Sequence, residues 1–148
     1  MAITQAMCTS FKVEILDGIH AFGTTVARAD TTADTFYLAL YTDSASLDAS
    51  TTAYETGGET TGTGYTTGGQ VLETVAPTSS GTTAYLDFAD ETWTTATITA
   101  RGAMIYNQTQ GNKAVAVLDF GGNKTSTAGD FTVVFPTADS ATAIIRIA

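Results

Sequence analysis

Threonine alternates with apolar residues along most of this chain, and no other feature narrows its fold so far. There are 31 threonines among 148 residues. A β-branched side chain sits well on a pleated strand but crowds the preceding turn of a helix, so the chain is expected to be mostly β. Thr82 to Ala89 shows the alternation most plainly, with Ala84, Leu86 and Phe88 on one side of the pleat and Thr83, Tyr85 and Asp87 on the other. Thr35 to Thr42 is apolar on both faces, which marks a central strand. Further strands are expected at Gln70–Ala76, Thr95–Tyr106, Lys113–Phe120, Asp130–Phe135 and Thr142–Ile147. Pro77 and Pro136 fall at strand ends, where a missing amide donor costs little.

Two stretches depart from this pattern. Between Ser10 and His20, Phe11, Ile15 and Ile19 recur at helical spacing, with Leu16 beside them and Lys12, Glu14 and Asp17 mostly on the other side. Ser10 fits the N-cap, although the capping box is imperfect, and the helix is expected to end near Gly18 to Gly23. Asp43 to Gly69 turns to Ser, Thr and Gly, which fits a long excursion between strands.

Several strands at short spacing without intervening helices point to one domain over residues 1–148. It is expected to be an antiparallel β-sandwich of jelly-roll type with a short N-terminal helix, its N-terminal arm and helix covering 1–23 and its excursion 43–69. The core is expected to draw on Phe11, Ile15, Phe36, Leu38, Leu40, Leu86, Phe88, Ile98, Val115, Val117, Leu118, Phe131, Val133, Phe135 and Ile145.

Charge narrows the partners. Six basic against fifteen acidic residues give −9, which argues against nucleic acid, because affinity there comes from Lys and Arg neutralising phosphates. Charged residues are 14% of the chain, against about 25% in an average soluble domain. Low charge of this kind suits a surface that meets other protein subunits. The single cysteine, Cys8, cannot form an internal disulfide. No run approaches the roughly 20 apolar residues of a membrane span, and the first residues lack the character of a signal peptide, so the chain is expected to be soluble, unexported and without a membrane partner.

Motifs for chemistry are thin. His20 is the sole histidine and could pair with Cys8 or a serine, but a helix-end or surface histidine is the commoner case. One His and one Cys fall short of a zinc ligand set. Gly62 to Gly69 has the glycines of a phosphate loop without its lysine or following helix, and backbone freedom accounts for it better. Asp87, Asp90 and Glu91 bring three carboxylates into five residues and could offer oxygens to a hard cation, with solvated turn acids the more ordinary reading. Trp93 with Tyr54, Tyr65, Tyr85 and Tyr106 could form a sugar-stacking face, although a core or interface aromatic is commoner. The expectation is therefore a non-enzymatic protein with no catalytic residues, no cofactor and no metal.

Across nearly the full chain, the segments FKVEILDGIHAF (Phe11 to Phe22), DTFYLALYT (Asp34 to Thr42), GTGYTTGGQVL (Gly62 to Leu72), TARGAMIYN (Thr99 to Asn107), AVAVLDFG (Ala114 to Gly121) and AIIRIA (Ala143 to Ala148) resemble small virion structural proteins of tailed bacteriophages. The nearest in character is a capsid decoration, or cement, protein. That resemblance implies a protein made in the host cytoplasm that binds the outside of the capsid lattice, with the major capsid protein and further copies of itself, as dimer or trimer, for partners. A tail, neck or fibre-base subunit is the alternative within the same setting, and a carbohydrate-binding module the alternative outside it. For the interface, the excursion (Tyr54, Glu59, Gly62, Gly64, Tyr65, Gly68 and Gly69) and the N-terminal residues Ile3 and Met7 are the candidates.

Overall fold

The computed structural model describes residues 2–16, 18–23 and 32–148. Among the described residues, eight strands and one helix follow in the order β1 (Ala6–Met7), α1 (Thr9–Leu16), β2 (Phe36–Tyr41), β3 (Gln70–Leu72), β4 (Thr74–Ser80), β5 (Thr83–Phe88), β6 (Glu91–Asn107), β7 (Lys113–Val133) and β8 (Ile145–Ile147). All strand pairs are antiparallel. They make a large sheet of order β1-β7-β6-β2-β3 and a small one of order β4-β5-β8. Both sheets feed one apolar cluster, in which Phe36 of the large sheet and Phe88 of the small one lie 6.3 Å apart. The chain is thus mainly β with one short helix, as the threonine alternation predicts. Consecutive strands β4–β5 and β6–β7 pair as hairpins, so the strand order lends no support to the interlocked Greek keys of a jelly roll.

The expected core is buried throughout, except that Ile15 is only partly covered. Trp93, Tyr41, Leu47, Met104 and Ile105 join it with no measurable exposure. Several boundaries differ from the sequence reading. Gln70–Ala76 is broken at Glu73 into β3 and β4, which belong to different sheets. Lys113–Phe120 and the first four residues of Asp130–Phe135 belong to one 21-residue strand that ends at Val133. The Gly-Gly-Asn stretch between them is a bulge: Ala100 pairs with Lys124 but Gly102 pairs with Asp119, so Phe120–Asn123 stand opposite Arg101 alone. Arg101 holds that bulge through Asp119, at 3.0 and 3.3 Å.

The helix starts at Thr9 and ends at Leu16, shorter at its C-terminal end than predicted. Ser10 does not cap it. Cys8 precedes the first turn and its carbonyl accepts from Lys12 N, while Ser10 Oγ is buried without a partner among the described residues. Glu14, expected on the solvent side, is 8% exposed and faces inward. Asp17 lies outside the described residues.

Candidate interaction surface

The excursion between β2 and β3 forms no named strand, yet it is closely fitted to the large sheet. Where β3 does not reach, residues 58–60 extend the pairing along β2: Thr42 N donates to Gly58 O and Thr60 N to Leu40 O. Beyond the end of β2 the excursion follows β6, with Thr63 bridged to Thr97. Its glycines permit this approach. Gly62, Gly64, Gly68 and Gly69 all have positive φ, and a Cβ on Gly69 would collide with the Leu38 carbonyl. The sequence names these glycines as interface candidates; within this chain the surface that Gly62, Gly64 and Gly69 approach is their own sheet.

Glu59 fixes the excursion side chain by side chain. Its Oε2 accepts from the Tyr54 hydroxyl at 2.7 Å, and its Oε1 accepts from the Tyr65 hydroxyl at 2.6 Å and from Gly68 N at 2.7 Å. The Tyr65 hydroxyl in turn accepts from Leu40 N, and the Tyr106 hydroxyl donates to Gly68 O. Tyr54 stacks on Tyr106 with ring centroids 4.7 Å apart. Burial, and then the neighbouring Glu59 carboxylate, pushes the Tyr65 and Tyr54 phenols above the ordinary tyrosine value and Tyr106 up to about 12. Among the predicted interface residues, Gly62 and Gly64 present exposed backbone, whereas Tyr54, Glu59, Tyr65, Gly68 and Gly69 are half-buried.

The N-terminal residues lie along the outer edge of β7 beside the excursion, to which Thr4 N and Thr9 N donate at Leu47 O and Ala49 O. Ala6 and Met7 pair with Val117 and Ala116, and Cys8 N donates to Val115 O. Ile3 is buried over Gly102 and bridged to Leu47, so its side chain serves the chain's own core; Met7 is half-buried.

Polar residues behind α1 form a second buried network. Lys113 Nζ donates to Glu14 Oε1 at 3.0 Å, and His20 Nε2 lies 2.7 Å from Glu14 Oε2. Asn107 Nδ2 lies 2.9 Å from His20 Nδ1 and donates to Asp34 Oδ2 at 2.8 Å. Asp34 also accepts from Ala21 N and Gln110 Nε2, and Asn107 Oδ1 accepts from Gln110 N. The His20 side chain is fully buried, with Phe11 edge-on at 4.8 Å. It is therefore neither a surface histidine nor engaged with Cys8 or a serine.

The other sequence candidates separate in space. Trp93 and Tyr106 are buried, so Trp93 and the tyrosines do not make one exposed sugar-stacking face. Asp90 Oδ1 accepts from Phe135 N, whereas Asp87 is buried with Oδ2 unpartnered. Among the described residues, no three His, Cys, Asp or Glu side chains converge as a metal site. Nor is any helix among them long and apolar enough to cross a membrane.

A feature the sequence reading missed is the outer edge of β7. β1 reaches only Ala116 and Val117, and no strand among the described residues pairs with that edge from Lys124 to Val133. Beside it lies a shallow depression of about 430 Å³ whose lining includes Phe120, Phe131, Val133 and Val134, the last 72% exposed. Its sequence signal was masked because the bulge glycines looked like a turn. No family model, curated protein or solved structure matches this chain.

Proposed function

We propose that this chain is a non-enzymatic structural subunit of a tailed-phage virion that binds the outside of the capsid lattice and stabilises the head by bridging capsid subunits. The observation that carries the assembly reading is the long unpaired edge of β7 beside a depression of mixed lining that carries the exposed Val134, on a chain with only 14% charged residues. Open strand edges are templates for pairing with another chain, and exposed apolar surface next to one favours a protein partner. The resemblance in the sequence supplies the virion setting and the major capsid protein as partner. A subunit that binds only the assembled lattice shifts the equilibrium toward assembly, and repetition over many sites multiplies a modest contact.

Co-sedimentation tests the reading directly. The purified chain should bind intact heads at a fixed stoichiometry, and Val134→Asp should weaken that binding without lowering the melting temperature. Recovery only with detached tails would move the assignment to a tail, neck or fibre-base subunit, and indifference to every particle component would sink both.

A further inference from the structure

The unpaired edge of β7 carries two regular stretches, Lys124–Ser126 and Phe131–Val133, on either side of a bulge. Both alternate in the same way. Ser126, Phe131 and Val133 are buried on the inner face, and Lys124 shares that face because it pairs with buried Ala100. Thr125 and Thr132 lie on the outer face, where their hydroxyls meet those of Thr99 and Thr92, each at 2.9 Å.

The main-chain groups of these two threonines face the open edge. Thr60 Oγ1 donates to Thr99 O, which is therefore turned toward the excursion and away from β7. Thr92 N is turned to the Glu91 carboxylate, and the Gln70 amide, oriented so that both its polar atoms are satisfied, donates to Thr92 O at 3.3 Å. Residues opposite each other in an antiparallel ladder alternate between pairs that exchange N–H···O bonds and pairs that do not. Thr99–Thr125 and Thr92–Thr132 are of the second kind, so Thr125 and Thr132 each offer a donor and an acceptor outward.

We propose that this edge pairs antiparallel with the same edge of a second copy about a two-fold axis, with Thr125 opposite Thr132 of the other copy. The proposal names the occupant of the edge on which the assembly reading rests, and makes the two-fold pair the unit offered to the lattice. Its register follows from the alternation. Ser126 meets Phe131 and Lys124 meets Val133, inner face to inner face, while Thr127–Asp130 of one copy stand opposite the same four residues of the other. The bulge therefore interrupts both strands equally. Each Thr125–Thr132 pair exchanges two N–H···O bonds and joins two hydroxyl pairs into one row of threonines across the dimer. The depression, whose lining includes all six residues of the two stretches, receives the incoming strand.

Charge selects a second copy as the occupant. The edge is positive at one end, at Lys124, and negative at the other, where Val133 pairs with Glu91. Among the described residues neither Lys124 nor Glu91 has an ion-pair partner, and burial lifts the Glu91 carboxyl with no cation to offset it. The two-fold sets Lys124 beside Val133 of the other copy and two strand spacings, about 10 Å, from Glu91 behind it. The two side chains together span that gap, twice per dimer. Each copy carries −9, so pairing works against a general repulsion that physiological salt screens beyond about 8 Å.

Sedimentation equilibrium of the full chain over a dilution series in physiological salt should show a reversible dimer of the 15.3 kDa chain. Lys124→Glu should weaken it at least about tenfold, because each dimer then holds two like-charge meetings, and adding Glu91→Lys should restore most of the loss. Thr125→Pro deletes a donor that only the second copy uses, so it should leave a folded monomer. Wild-type amide exchange keeps the test decisive where a variant fails to fold: Thr125 and Thr132 should slow together as the concentration rises through the dimerisation range. Head co-sedimentation separates this pairing from the virion reading. A dimer that ignores every particle component would support the pairing and end the virion assignment. A chain that stays monomeric at every concentration would overturn the pairing, whether or not it binds heads, and so would a dimer that neither Lys124→Glu nor Thr125→Pro weakens.

Discussion

Two irregular segments close the edges of the same sheet, and they are fastened by opposite chemistry. The excursion 43–69 starts beside the N-terminal segment at Leu47 and Ala49, meets the start of β7 at Ala53, and from residue 58 on lies along β2 and β6, held there by close backbone approach at glycines and by phenol hydroxyls converging on Glu59. The N-terminal segment lies along β7, held behind α1 by a series of ionisable groups running from Lys113 through Glu14 and His20 to Asp34. The excursion loses the contribution of its raised phenols as they ionise in alkali, whereas the segment behind α1 loses that of the Glu14 carboxylate as pH falls. Irregular chain is therefore not uniformly loose here, since its stability depends on which donors and acceptors hold it.

The comparison breaks most severely at Gly69. Its φ of 79° is costly for any L side chain, and a Cβ there meets the Leu38 carbonyl. Gly69→Val should cost roughly 3–5 kcal/mol, combining left-handed strain with overpacking against a central strand. Urea unfolding measures it. A loss below about 1 kcal/mol would mean that the excursion is not seated on β2.

Glu59→Ala comes next. It removes the acceptor for two phenols and the Gly68 amide, and it should cost roughly 2–4 kcal/mol because hydrogen bonds to a charged group are lost and their donors left to find water. Amide exchange should quicken across residues 59–69 while residues 9–21 keep their protection. Equal loosening of both segments would show that the two covers are one cooperative unit.

Much of the fold could be read in the sequence where the signal was local. Thr82–Ala89 alternates strictly and Thr35–Thr42 is apolar on both faces, and each became a strand at nearly the predicted bounds. The length of β6 and β7 could not be read that way, because Gly121–Asn123 has the composition of a turn and becomes a bulge only through the pairing on either side of it. Glu14 was misplaced for a similar reason. Amphipathic spacing assigns a carboxylate to solvent, and its partner Lys113 is 99 positions away. The tyrosine cluster on Glu59 was visible only as scattered aromatics in a glycine-rich stretch, with no local sign that their hydroxyls converge.

Alkali should separate the covers. Burial and the Glu59 charge raise the Tyr54 and Tyr65 phenols, so the folded form resists their ionisation. That contribution is intact below the unfolded tyrosine value of about 10 and is lost as pH rises past it. Trp93, whose ring lies 6.0 Å from Tyr65, should report the loss by fluorescence. Burial likewise raises the Cys8 thiol to about 11, so the N-terminal side also weakens in alkali, starting at lower pH but through a single group. A urea midpoint, read by Trp93 emission, that does not fall between about pH 9 and 11 would remove the phenols as the excursion's fastening.

The smallest effect is expected at Lys113→Met, which keeps most of the aliphatic stem and deletes the charge facing Glu14. The Lys113 side chain is 37% exposed, so solvent screens the pair and its loss should cost only about 0.3–1 kcal/mol at neutral pH. Its signature is the pH dependence. With its pKa held low, Glu14 contributes stability above its unfolded value of about 4.3 and loses that contribution as pH falls through the lowered one. Without Lys113 the depression shrinks, so the stability lost below about pH 4.3 should be shallower than in the wild type, with His20 alone holding the carboxylate. An unchanged acid limb in urea midpoints taken across that range would show that Lys113 is a spectator, and that the segment behind α1 is fastened by His20 and Asp34 alone.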